Sequence, residues 1–214
     1  MTALETDWTE EAEARLLAAA IPLAPRLGWT SRLVARAATA AGLSQGEAML
    51  VAPNGARDLA ALFARRHDTA ALSALATVEP GALKVRERIA RGVEAWLKAA
   101  SADGEATRRW AGYLALPQNA PFAMRLVWST ADGLWRWAGD RSTDENHYSK
   151  RAILAAILVS TLAIRLSGGA DSAQAHLGAQ IDRVMAYERW KAKVGAPDLA
   201  RDLATALGRL RYGR

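Results

Sequence analysis

WRWAGDRSTDENHYSKRAILAAILVSTLAIRL, residues Trp135 to Leu166, is the stretch that decides how this chain is built. Ser142 and Glu145 stand three apart, the spacing of a capping box. There the hydroxyl accepts from one orphan N–H at a helix start and the carboxylate accepts from another. Asp144 and Glu145 also place negative charge at the positive end of the helix dipole, so a helix is expected to begin here. Its opening turns, Asn146 to Arg151, are polar and aromatic, whereas Ala152 to Ile164 is apolar on every side except at Ser160 and Thr161. A helix apolar all round is buried in protein or in lipid. The run is shorter than the roughly 18–20 residues that span a bilayer, which favours a protein interior. The expectation is one central helix wearing a polar, aromatic collar.

Outward from it, Ser167-Gly168-Gly169 is a C-terminal stop signal, and a second helix is expected over 171–187 with Leu177, Ile181, Val184 and Met185 inward. Upstream, Phe122 to Ala138 reads as a helix with Met124, Val127, Trp128, Ala131, Leu134, Trp135 and Ala138 on one face. Further helices are expected near 83–99, from Asp103-Gly104 onward, and over 57–76. Nearer the start, 9–21 should be helical until Pro22 and Pro25 interrupt it. Gly28-Trp29-Thr30-Ser31 then leads into another helix, and Gly42 separates that from a short one through Leu50. The predicted fold is all-α, with roughly nine or ten helices in three parts: an amino-terminal unit (1–66), a bundle (67–194) and a terminal helix (195–214).

Composition agrees with that class. The chain has 214 residues, 51% of them hydrophobic, and few β-branched or aromatic strand formers, enough apolar mass for a substantial core. There is no cysteine, which excludes disulfides, thiol catalysis and cysteine-bound zinc. The acidic opening MTALETDWTEEAE is unlike a secretory signal or an Arg-rich transit peptide. The net charge of +6 is concentrated at the end: from Arg189 onward seven basic residues face only Asp198 and Asp202. A basic terminus on a near-neutral body implies a local anionic partner. Beyond the Gly195-Ala196-Pro197 hinge, Leu199, Leu203, Leu207 and Leu210 share a stripe, with Arg209 and Arg211 available for anionic headgroups. Such a helix either lies in a membrane interface or packs on the domain or a partner subunit.

Catalytic motifs are scarce. His67, His147 and His176 are far apart in sequence, without metal-ligand spacing, so no metal or other cofactor is expected. There is no Gly-x-Ser-x-Gly elbow. Gly168-Gly169 lacks the strand and the following Lys-Ser/Thr of a phosphate loop. The densest polar cluster is Asp140 with Asp144, His147, Tyr148 and Arg151, the last four sharing a helix face. An acid–base pair of Asp144 and His147 is conceivable there, but a docking face explains the same residues with less. The expectation is that this chain is not an enzyme.

Two resemblances sharpen this reading. AGDRSTDENHYSKRAILAAI (138–157) is similar to the AGDxSTDxNWYxxRAxLAAIY signature of the Coq nine family of ubiquinone-biosynthesis accessory proteins. LPQNAPFAMRLVWSTADGLWRWAGD (Leu116 to Asp140) fits the same family's LPxNxP…DxxWxxAGD pattern, so the likeness covers Leu116 to about Tyr187. One position departs, because His147 stands where the family often has Trp. Residues 14–63, with AGLSQG at 41–46, resemble the amino-terminal unit of TetR-type repressors. The short helix after that turn carries Glu47 and no cation, so DNA binding is not expected of it.

The resemblance implies a TetR-like bundle with a degenerate helix-turn-helix that holds an isoprenoid quinone precursor or a phospholipid. It would present the precursor to the di-iron demethoxyubiquinone hydroxylase, at an anionic membrane surface on the cytoplasmic side of a bacterial inner membrane, as a homodimer. The rival is a ligand-responsive TetR-type transcription regulator. Candidate lipid contacts are Trp128, Leu134, Trp135 and Leu154, continuing through Ile157, Leu158, Thr161 and Val184. Asp144, His147, Tyr148 and Arg151 are the candidate docking residues, and Leu199, Leu203, Leu207, Leu210, Arg209 and Arg211 the candidate membrane contacts.

Overall fold

Pairing of apolar stripes explains the order of the helices in the computed structural model, which describes the backbone of residues 3–140 and 145–194 and the side chains of 8–140 and 147–187. Among these residues there are nine α-helices and no strand. The helices are α1 (Ala3–Ala20), α2 (Ala24–Leu27), α3 (Ser31–Ala40), α4 (Gln45–Val51), α5 (Ala56–Leu75), α6 (Val85–Ser101), α7 (Gly104–Leu114), α8 (Ala120–Trp137) and α9 (Glu145–Val194). The short α2 was not anticipated: Pro25 in its first turn starts a helix rather than only ending one.

At the amino-terminal end, Thr30 caps α3, its hydroxyl accepting from the Leu33 N–H. Ser44 and Glu47 form a reciprocal capping box at α4. α1 packs across α3, and both reach α5. The boundary expected at 66/67 falls inside α5, and the buried residues on either side of it form one cluster. Trp29 stands 4.9 Å from Phe63, and Phe63 stands 5.8 Å from Trp110. Both indoles are satisfied, Trp29 donating to the Ala106 carbonyl and Trp110 to that of Ala60.

The bundle proper is α5 along α6, α8 along α9, and α6 against α9. On α8 the inner residues are Phe122, Thr130, Ala131 and Leu134, so Met124, expected inward, lies on the exposed side instead. The stop at Ser167-Gly168-Gly169 takes the form of a sharp bend with no intervening loop. Gly169 adopts φ 84° and ψ −169°, a conformation closed to residues with a Cβ, and helix resumes at once. The two arms of α9 fold back on each other. His176 Nε2 reaches Ser160 Oγ at 3.1 Å, and Leu154 and Ile157 share a cavity with Ile181 and Val184. By length and composition the stretch His147–Tyr187 holds a segment apolar enough to cross a membrane, more than the sequence reading allowed. Its Leu154, Ala155, Leu158, Thr161 and Leu162 are nonetheless buried against protein.

Two adjacent titratable groups lie deep in α5. His67 is 1% exposed, wedged between Phe63 and Trp110, and neither ring nitrogen has a hydrogen-bond partner among the described residues. Burial, helped by the neighbouring Arg66 charge and opposed by Asp103, lowers its pKa to about 4. Burial raises that of Asp68 to about 6, against the hydrogen bonds from Thr130 and Trp96. The consequences for stability have opposite signs. Between about pH 4 and 6.5 the unfolded chain binds the His67 proton more tightly, so that contribution is lost as pH falls. Between about 3.8 and 6 the folded chain holds the Asp68 proton more tightly, so that contribution is lost as pH rises. Each amounts to about 3 kcal/mol, and they largely offset. Urea denaturation from pH 4 to 7 should therefore show His67→Phe losing stability with rising pH relative to the unmodified chain, and Asp68→Asn gaining it. Parallel profiles for all three would contradict this assignment.

Candidate functional site

The collar at the start of α9 is built on a buried cation. Gly139, at φ 86°, ends α8 and turns the chain so that the Asp140 N–H donates back to the Trp135 carbonyl. That places the Asp140 carboxylate beneath the helix end. Arg151, 2% exposed, donates from Nε to Asp132 Oδ1 at 2.6 Å and from Nη1 to Asp140 Oδ2 and the His147 carbonyl, each at 3.1 Å. Lys150 Nζ lies 2.7 Å from the other Asp140 oxygen and 5.4 Å from the Trp135 ring centre, while the Trp135 indole donates to the Lys150 carbonyl. An arginine this deep is tolerated because two carboxylates compensate it. Tyr148, one turn earlier, is 64% exposed; its ring lies 5.2 Å from His147 and 6.3 Å from Trp128. Arg151 thus sits inside the collar, not on the exposed face with Tyr148. The two carboxylates, Asp132 and Asp140, draw the Arg151 side chain inward and so separate residues that their spacing puts on one side. Asp144 lies outside the described residues.

Below the collar, α9 is flanked by two cavities. One, of about 480 Å³, lies between α7, α8 and α9, over a floor of Trp96 and Trp110 on α6 and α7. Its walls are almost wholly apolar, among them Leu114, Ala123, Leu126, Val127, Val159 and Leu162. The other, of about 550 Å³, lies between the arms of α9 and α6. Ligand pockets of this kind commonly hold roughly 300–1,000 Å³. Among the described residues no group of three or more His, Asp or Glu side chains converges as a metal site.

The COQ9 family profile matches residues 120–188, which are α8, the collar and both arms of α9. Human "Ubiquinone biosynthesis protein COQ9, mitochondrial" is 33% identical over 159 residues, 71% of this chain and 50% of that protein. The Rattus norvegicus protein of the same name is 31% identical over 71% of this chain and 51% of its own length. Xenopus laevis COQ9-B is 27% identical over 73% and 56%. The chain belongs to the COQ9 family. It spans about half the length of the curated relatives it matches.

Within this COQ9 chain the eight candidate lipid contacts do not surround one space. Trp135, Leu154, Ile157 and Val184 meet in the cavity between the arms. Leu134, Leu158 and Thr161 are packed in the core, the last donating to the Ile157 carbonyl. Trp128 lies half-buried on the outer side, next to Tyr148. None of the eight lines the apolar cavity between α7 and α9. Periodicity marks an apolar stripe but not which neighbour leaves a gap beside it. The contribution of α7, through Ala111, Gly112 and Leu114, had no local signal beyond small residues on a short amphipathic helix. Leu199, Leu203, Leu207, Leu210, Arg209 and Arg211 lie outside the described residues.

Removing Arg151 takes the buried cation from between Asp132 and Asp140 and leaves them only the outer partners Arg136 and Lys150. Arg151→Ala should cost about 3–5 kcal/mol in urea unfolding, whereas Arg136→Ala, an exposed partner of the same Asp132, should stay within about 0.5 kcal/mol. Equal, small losses would show that the collar does not depend on this ion pair.

Proposed function

We propose that this chain is a non-catalytic, lipid-binding accessory protein of ubiquinone biosynthesis, which holds an isoprenoid quinone precursor and presents its head group to the di-iron hydroxylase of that pathway. The observation that carries this reading is the apolar cavity beside α9, walled by α8 and α9 within the very segment the COQ9 profile matches. A long isoprenoid chain needs a channel with few polar atoms, and the wall of this one is apolar except at the buried Thr130 and the exposed Arg108 and Ser167. The order of helices, with a turn at 41–44 between α3 and α4 and a ligand space under the later helices, supports a TetR-like scaffold. α4 argues against operator binding. It has no Lys or Arg, its Glu47 is held at the helix start, and Met49 and Leu50 are exposed at its end. The basic terminal helix would recruit the protein to an anionic membrane surface as a homodimer.

Mass spectrometry of lipids extracted from protein purified from its native host tests the ligand. Quinone-type isoprenoids should co-purify, and Ala123→Trp, which fills the cavity from α8, should reduce the yield at least about tenfold. Recovery of bulk phospholipid alone would refute the ligand assignment.

The exposed Tyr148 and its neighbour His147 are the proposed docking contacts for the hydroxylase, Tyr148 as the aromatic anchor. Tyr148→Ala should weaken co-precipitation of the hydroxylase by about tenfold or more while leaving the melting temperature unchanged. Undiminished co-precipitation would move the docking site elsewhere.

A further inference from the structure

Two spaces meet along one face of α7. Arg108 and Gly112, four apart and so neighbours on the helix surface, line the apolar cavity. The same two residues line an adjoining basin of about 580 Å³, open to solvent, toward the Gly28–Thr30 turn before α3. A methyl group at Gly112 would meet nothing within 4 Å, so no side chain fills the crest between the spaces at that point. The charged residues of the basin are Arg108, Arg109 and Glu105. Arg108 donates from Nε to Glu105 Oε2 at 3.2 Å, and Arg109 Nε stands 3.4 Å from Oε1, so two guanidinium groups share a single carboxylate. The Nη groups of Arg108 make no hydrogen bond among the described residues. Among these residues Arg108 is also the one charged side chain on the wall of the apolar cavity.

We propose that this basin binds the anionic head, carboxylate or phosphate monoester, of a single-tailed amphiphile, whose tail passes over Gly112 into the apolar cavity. The excess positive charge of the basin favours an anion, and the planar fork of Arg108 offers donors to two oxygens of a compact oxyanion. The tail space, of about 480 Å³, suits one chain. A neutral alcohol head gains nothing from the excess charge. The uncharged head of a quinone precursor is not drawn to the basin either, and stays free to face the hydroxylase. An anionic amphiphile is therefore a competitor of the quinone precursor for the tail space, with its head held at a different place.

This inference rests on the lipid-binding reading of the cavity, and the experiment separates the two. The full chain is offered dodecanoate, dodecyl phosphate and dodecanol in pairwise competition, with binding read by native mass spectrometry. At low ionic strength at least one anion should beat the alcohol by about fivefold or more, as expected for a half-exposed guanidinium pair, and the tighter anion identifies the head. The preference should shrink in high salt. Arg108→Gln, at an exposed position where folding is not at stake, should bring the ratio to about one while dodecanol binding persists. Equal binding of anions and alcohol to the unmodified chain overturns the head-group assignment alone, and needs no variant. An anion preference that survives Arg108→Gln overturns it too. Failure of all three molecules to bind overturns the cavity reading and this inference with it.

Discussion

A guanidinium with almost no access to water governs the arrangement of this molecule. Arg151 needs both Asp132 and Asp140, and they come from different places: one from the body of α8, the other from beyond the glycine that ends it. Satisfying all three fixes the distance between α8 and the start of α9, and the direction in which α9 leaves the collar. The apolar wall from Leu154 to Leu162 is then laid between α6 and α8. Arg88 reinforces the same corner by donating to the Ala138 carbonyl. The cavities on either side of α9 follow from that placement, because a helix pinned at one end by charge does not slide to close the gaps beside it.

The exposed and buried parts of the collar have different duties. Tyr148, His147 and Trp128 make an aromatic patch on the outside, and its energetics are separable from the ion pairs inside. Lys150 belongs to the inner part, with its ammonium on Asp140 and 5.4 Å from the centre of the Trp135 ring. This division explains why a single short segment carries both the fold-determining charge and the surface proposed for a partner.

Much of this was legible before any coordinates. The all-α class, a helix expected over 122–138 and found at 120–137, and the apolar run after Arg151 followed from periodicity and from glycine and proline positions. The irregular pattern from Leu116 onward pointed to the family, which the comparisons establish. Other features were not readable, for physical reasons. Met124 sits on an apolar stripe by spacing, yet the buried side of α8 is the one that carries Phe122, Thr130, Ala131 and Leu134. Arg151 looked like a surface residue because a charged side chain in a helix start is usually solvated; its burial depends on two carboxylates from another element. Asp68 and His67 offered no pattern at all. Their significance comes from α6, α7 and α8 closing over α5, a long-range fact that a local window does not contain.

The bend at Gly169 has a mechanical consequence. With no loop between the arms, the second is a stiff lever attached at a single residue. From Gly169 to Val184 it is roughly 22 Å long at 1.5 Å per residue, so a rotation of about 5° at the fulcrum displaces its far end by about 2 Å. That is half the width of a methylene chain. Small torsional adjustments at one glycine therefore suffice to change the bore of the space between the arms, while the charged corner at the opposite end of the first arm stays anchored.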